Sequence, residues 1–76
     1  MTIKELKSKT RINRIVIVEK EYLRTIKVID LELNRKSIDD CLDKEVFEIH
    51  PYIESKIDYD GELRAVAKIE AIIYED

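Results

Sequence analysis

FEIHPYIESKIDYDGELRAVAKIEAIIY, residues 47–74, decides the fold. Phe47, Ile49, Pro51, Ile53, Ser55, Ile57 and Tyr59 are apolar or small. Glu48, His50, Tyr52, Glu54, Lys56 and Asp58 between them are mostly polar. Alternation of period two places the two sets on opposite faces of a strand. Asp60-Gly61 then signals a hairpin turn. A two-residue loop there would set Asp58 opposite Leu63 and mix the faces. A loop of odd length sets odd opposite odd: Tyr59 with Leu63, Ile57 with Ala65, Ile53 with Ile69 and Ile49 with Ile73. It also sets Asp58 against Arg64 and Glu54 against Lys68 on the polar side. A one-residue slip would turn every side chain over, so the pattern predicts an odd loop and a strand over residues 62–76. The rival is a C-terminal helix, because Leu63, Val66, Ala67 and Ile73 form a partial stripe among good helix formers.

Upstream, Ser37-Ile38-Asp39-Asp40 is a helix-start signal, with Ser37 as N-cap and two carboxylates in the first turn. Ile38, Cys41, Leu42 and Val46 share a face, which predicts a short helix over 38–45. Before it, Ile15-Val16-Ile17-Val18 is a continuous apolar run suited to a central strand covered on both faces. Ile29, Leu31 and Leu33 share one side of the next run. Ile26 and Val28 fall on the other parity, which predicts a bulge near Val28. Residues 12–33 therefore read as a β-hairpin. A helix from Glu19 to Leu33 is the rival, opposed by its crowded β-branched residues. At the start, Thr2-Ile3-Lys4-Glu5 fits a capping box, and Ile3 and Leu6 share the buried side of a short helix. The expected fold is one α+β domain, residues 1–76. Its sheet is mainly antiparallel, with two hairpins and about four strands, one short N-terminal helix and one short central helix.

Composition supports this reading. The chain has 13 Ile and 5 Val against 6 Leu, a β-branched excess that favours sheet. Heavy use of Ile, Lys, Glu and Asp also resembles proteins of AT-rich bacteria and their phages. With 76 residues a single core is marginal. One Cys and one His supply neither a disulfide nor a closed zinc site, which leaves association with another copy as a source of support. The opening MTIKELKSKT lacks an apolar signal-peptide core, and no apolar run is long enough to span a membrane. With a lone cysteine, this predicts a cytoplasmic protein with no membrane partner.

The predicted ribbon raises a covering problem. Thirteen strand residues reach ~43 Å, whereas a helix over 38–45 is only ~12 Å long. Either the sheet curls on itself near Pro51, or something else lies on the apolar face. Pro51 has no N–H to donate, so residues 47–59 belong at a sheet edge or a bulge.

Chemistry-bearing motifs are sparse. A single Gly excludes glycine-rich phosphate loops. Cys41 falls on an apolar helix face and reads as core; His50 falls on the polar side of its strand and reads as surface. Asp58, Asp60 and Gly61 fit part of a calcium loop, but Lys56 and Ala67 would occupy its first and closing ligand positions, so the segment reads as a turn. Asp39, Asp40 and Asp43 read as a solvated helix start. No catalytic residue, metal site or cofactor is expected.

Charge is unevenly spread around a net −3. Residues 1–29 hold eight Lys/Arg against three Asp/Glu, and residues 30–62 hold four against eleven. Such asymmetry marks a binding surface or interleaves as cross-strand pairs. The leading expectation is a non-catalytic protein-binding module, of the kind encoded by phages or mobile elements to inhibit or regulate a bacterial nuclease or defence complex. Its acidic surface would comprise Asp39, Asp40, Asp43, Glu48, Glu54, Asp58, Asp60 and Glu62, facing a target with a basic surface; a homodimer is also expected. The alternative is a nucleic-acid-binding regulator contacting phosphates through Lys4, Lys7, Lys9, Arg11 and Arg14. No aromatic residue interleaves with that stretch to stack on bases. A structural homo-oligomer is the second alternative.

Overall fold

The computed structural model describes residues 1–74 and has the α+β fold expected. Helix α1 spans Ile3–Lys9. Four strands follow: β1 Ile15–Glu21, β2 Arg24–Asp30, β3 Glu48–Ile57 and β4 Leu63–Tyr74. Short 3-10 turns at Ile12–Arg14 and Arg35–Asp40 connect them.

The strand order is β2-β1-β4-β3. β1–β2 and β3–β4 are antiparallel hairpins, but β1 runs parallel to β4, so the sheet is mixed and the expectation of a mainly antiparallel sheet is corrected. The cause lies in the inner strands. IVIV of β1 and AIIY of β4 are the most apolar runs, and placing them side by side gives both of them neighbours on each edge. Residues 31–47 carry the chain back to the end where β2 began, and so β3 starts parallel to β2.

Central placement of β1 is borne out, since Ile15, Val16, Ile17 and Val18 are all buried. Odd-numbered side chains of β1 and β4 pack with Ile29 and Leu31 beneath Ile3, Leu6, Ile38 and Cys41. Val16, Val18 and Ile72 make a smaller cluster on the even face. One methylene removed from the odd-face cluster leaves a gap that its rigid neighbours cannot fill.

The capping box at Thr2 and Glu5 is present. The amide of Glu5 donates to Thr2 Oγ1 at 3.3 Å, while those of Ile3 and Lys4 donate to the carbonyls of Lys44 and Leu42. Two of the free N–H groups in the first turn of α1 are thus satisfied by the very segment it packs against, and that of Glu5 by the cap. That segment is not the predicted 38–45 helix. It holds a 3-10 turn from Arg35 to Asp40 with Asn34 at the N-cap, and Ser37 lies inside it without capping. Ile38 and Cys41 still reach the core, so the apolar spacing was informative about burial although the regular helix does not form.

In the first hairpin the register shifts between Glu19/Lys20 and Lys27/Thr25. Ile26 is the extra residue, two positions from the bulge expected at Val28. Tyr22 and Leu23 close the hairpin, and Tyr22 has a φ of 56°. That is the first central position of a tight turn, where Gly is preferred. Tyr22 is exposed and loses little contact when replaced. Tyr22→Gly is expected to raise stability by roughly 0.5–1 kcal/mol, the relief of left-handed strain less the extra chain entropy of Gly. A urea midpoint no higher than wild type would refute this.

Residues 63–74 form a strand, as the parity argument required, and the helical rival is excluded. Glu62, also expected in the strand, belongs to the loop, and residues 75–76 of the predicted 62–76 strand lie outside the described part. The loop from 58 to 62 is odd in length. Ile57 pairs with Leu63 and Ile53 with Ala67, a register displaced by two positions from the one predicted, and the faces are unchanged. Asp58 causes the displacement. Its own amide makes a last ladder-type bond to the Glu62 carbonyl, and its Oδ1 accepts from the amides of Asp60 and Glu62, so the Asp58 side chain closes the loop there.

Candidate functional site

β1 pairs with β4 only from Ile69 to Tyr74. Leu63–Lys68 therefore pair with β3 alone, and the two strands project as an arm. The molecule measures 44 × 27 × 19 Å. The two faces of the arm differ sharply.

The even face is polar and closed. Lys68 is 1% exposed. Its Nζ lies 3.0 Å from Asp30 Oδ2, 2.9 Å from Glu32 Oε2 and 2.8 Å from Glu54 Oε2. Lys56 reinforces the cluster at 2.7 Å from Glu32. Burial alone would lower the Lys68 pKa, and the three carboxylates more than offset it, so the net shift is upward. Lys56 and Lys68 together draw the Glu32 carboxyl down to about 2. Arg64 reaches Asp58 at 2.6 Å. The predicted charge pairs on this face, Glu54–Lys68 and Asp58–Arg64, both exist, diagonally across the ladder and not directly opposite.

The odd face is bare. Ile53, Ser55 and Ile57 on β3 meet Ala67, Ala65 and Leu63 on β4, and toward the base Pro51 and Ile49 meet Ile69 and Ala71, where Ala71 is already buried in the core. None of these positions carries a charge, in a chain that is 41% charged. Ile53, Ile57 and Leu63 are 72, 74 and 73% exposed. At its base the face deepens into a groove of about 400 Å³ between Pro51, Ile53, Ala67 and Ile69 and the side chains of Thr10 and Arg14. The helix and the 3-10 turns cover only the part of the sheet below the arm, as the length comparison required.

β3 is an edge strand. Even residues from Glu48 to Asp58 face β4 with their backbone groups, since Asp58 N donates to Glu62 O and the pattern alternates. Odd residues then direct their N–H outward. Pro51 occupies one of these outward positions, where it has no ladder bond to lose, as its missing donor requires.

The eight predicted acidic residues do not form one surface. Asp39, Asp40 and Asp43 belong to the segment packed over the odd side of the core, whereas Glu48 and Glu54 sit at even positions of β3. Glu54 is bound to Lys68, Asp58 to its loop and Arg64, and Glu48 lies 2.8 Å from His50. Asp60 and Glu62 are exposed at the tip of the arm. Among the basic residues, Lys4, Lys7, Lys9 and Arg11 are exposed, and Arg14 lines the groove. Cys41 is core, where burial raises the thiol pKa. Among the described residues, no three His, Cys, Asp or Glu converge as a metal set, and no helix is long and apolar enough to cross a membrane.

Sequence reasoning missed the Lys68 cluster as a unit. Its members come from 30–32, 54–56 and 68, and only the order of strands brings Asp30 and Glu32 to the arm. Comparison with protein-family models, with curated proteins and with solved structures finds no match.

Proposed function

We propose that the chain is a non-catalytic protein-binding module whose contact surface is the odd face of the β3–β4 arm. The observation that supports this reading is the run of exposed, uncharged positions there, with Ile53, Ile57 and Leu63 each nearly three-quarters exposed. Contiguous apolar surface of this kind is kept small on proteins that act alone. The arm is also braced, because Lys68 joins its opposite face to Asp30 and Glu32. A preformed surface loses less entropy on binding than a mobile one.

Inhibition or regulation of a bacterial nuclease or defence complex in the cytoplasm is the setting that composition favours. In that setting the uncharged face supplies affinity, while the free carboxylates Asp39, Asp40, Asp43, Asp60 and Glu62 steer approach to a basic target. The alternative, a nucleic-acid binder, has the exposed cations of α1 in its favour.

A photo-cross-linking residue tests the surface. Placed at Ile57, it is expected to give discrete covalent adducts in cell extract or with the protein itself. Placed at Val28, which is 60% exposed on β2, it serves as the control. Equal yields from both positions would remove the arm as the contact surface.

A further inference from the structure

We infer that the occupant of the arm's odd face is the same face of a second copy, lying antiparallel, tip to base, across a two-fold axis. This rests on the arm being the contact surface proposed above, and it names the partner. Three observations converge on it.

The first is charge type. The face carries no charge, so an identical face covers it without desolvating an ion. The second is area. Ile53, Ile57 and Leu63 are all largely exposed, and together with the small residues between them they amount to roughly 500 Å². Two copies would then bury on the order of 1,000 Å², the lower bound for a specific, reversible dimer.

The third is the distribution of charge at the two ends of the face, which sets the orientation. The tip carries Asp60 and Glu62, both exposed. The base is walled by the 3-10 turn, where Arg14 lines the groove and Arg11, whose carbonyl accepts the Arg14 amide, is exposed. Stacking two arms tip on tip would place acid on acid. Reversing one arm brings each acidic tip to the basic wall of the other copy and satisfies both ends through one symmetry operation. The uneven charge of the chain thus acquires a geometric role, with positive residues at the foot of the arm and negative ones at its end.

The test is sedimentation equilibrium on two charge-reversed variants, Asp60→Lys/Glu62→Lys and Arg11→Glu/Arg14→Glu, alone and mixed. Wild type is expected to be a dimer at low salt and to weaken at high salt. Each variant alone is expected to dissociate at least about tenfold more readily. An equimolar mixture should recover the dimer, because the basic tip of one then meets the acidic wall of the other. Circular dichroism confirms that each variant is folded, and Arg11→Glu alone repeats the base-side test at an exposed position. A wild type that stays monomeric at its highest soluble concentration overturns the inference, as does a mixture no more associated than its components. Heterologous adducts at Ile57 from a monomeric protein would sink the self-dimer and leave the binding surface standing. Absence of adducts above the Val28 control would sink both.

Discussion

Lys68→Met is expected to lower the free energy of unfolding by about 2–3 kcal/mol, although Met keeps most of the side-chain volume. Removing one partner of a buried ion pair typically costs about 3–5 kcal/mol, because the other charge is left without compensation. Here one ammonium serves three carboxylates. Asp30, Glu32 and Glu54 are 27, 38 and 35% exposed, so water partly rehydrates them, and the expected cost falls below the buried range. Without Lys68, Lys56 faces three carboxylates alone, at 2.7 Å from Glu32 and 4.0 Å from Glu54. Adding Asp30→Asn, Glu32→Gln and Glu54→Gln to Lys68→Met should recover much of the loss, because the repulsion disappears with the charges. A Lys68→Met protein as stable as wild type in urea would show that the cluster contributes nothing.

Acid should bring the stabilities of the same two proteins together. The folded pKa of Glu32 is depressed from 4.5 to about 2. A depressed carboxyl stabilises the folded state above its unfolded pKa, and that contribution is lost as pH falls toward the folded value. Wild type therefore loses stability between pH 4.5 and about 2. In Lys68→Met, protonation relieves repulsion among the carboxylates, so the difference between the two proteins should narrow over that interval. A constant difference would assign the cost to packing instead of charge.

How legible this fold was depends on the range over which each signal acts. Alternation from Phe47 to Tyr59 and the parity of the return strand are local, and they fixed the hairpin, its faces and the edge position of Pro51. The Thr2/Glu5 capping box is equally local and forms as read. The two-position displacement was not legible, because it follows from the Asp58 carboxylate capturing two amides, a preference that competes with the ladder only once the turn exists. The parallel β1–β4 contact was not legible either. Each hairpin can be recognised alone, but which of its edges meets the other hairpin depends on burying IVIV and AIIY together. The missed helix over 38–45 has a related cause. Ile38 and Cys41 had to reach the core from a segment that also pairs with α1 through Lys44 and Leu42, and a short 3-10 turn does both. For the candidate surface, the uncharged odd positions were visible from the start. The acidic set was not separable into free and engaged members, since Glu54 and Asp58 are consumed by partners that only the folded ladder supplies.

Ile17→Ala is expected to cost about 3–4 kcal/mol, and Ile53→Ala less than about 1 kcal/mol at low protein concentration. Ile17 is fully buried between Ile29 and Ala71 on neighbouring strands, under the residues of α1. Truncation removes its transfer free energy and leaves a cavity that the close-packed sheet cannot collapse into. A chain this short has a total stability of only about 4–11 kcal/mol, so the variant should lose about a third or more of it. Ile53 has the same side chain in the same sheet, but the isolated copy leaves it in solvent, and only its strand preference is lost. The comparison carries the fold and the surface together. If Ile53→Ala were as costly as Ile17→Ala in dilute solution, the arm would be covered within a single copy. If its cost rises with protein concentration toward that of a buried residue, the cover is a second molecule, because association stabilises the folded state by mass action.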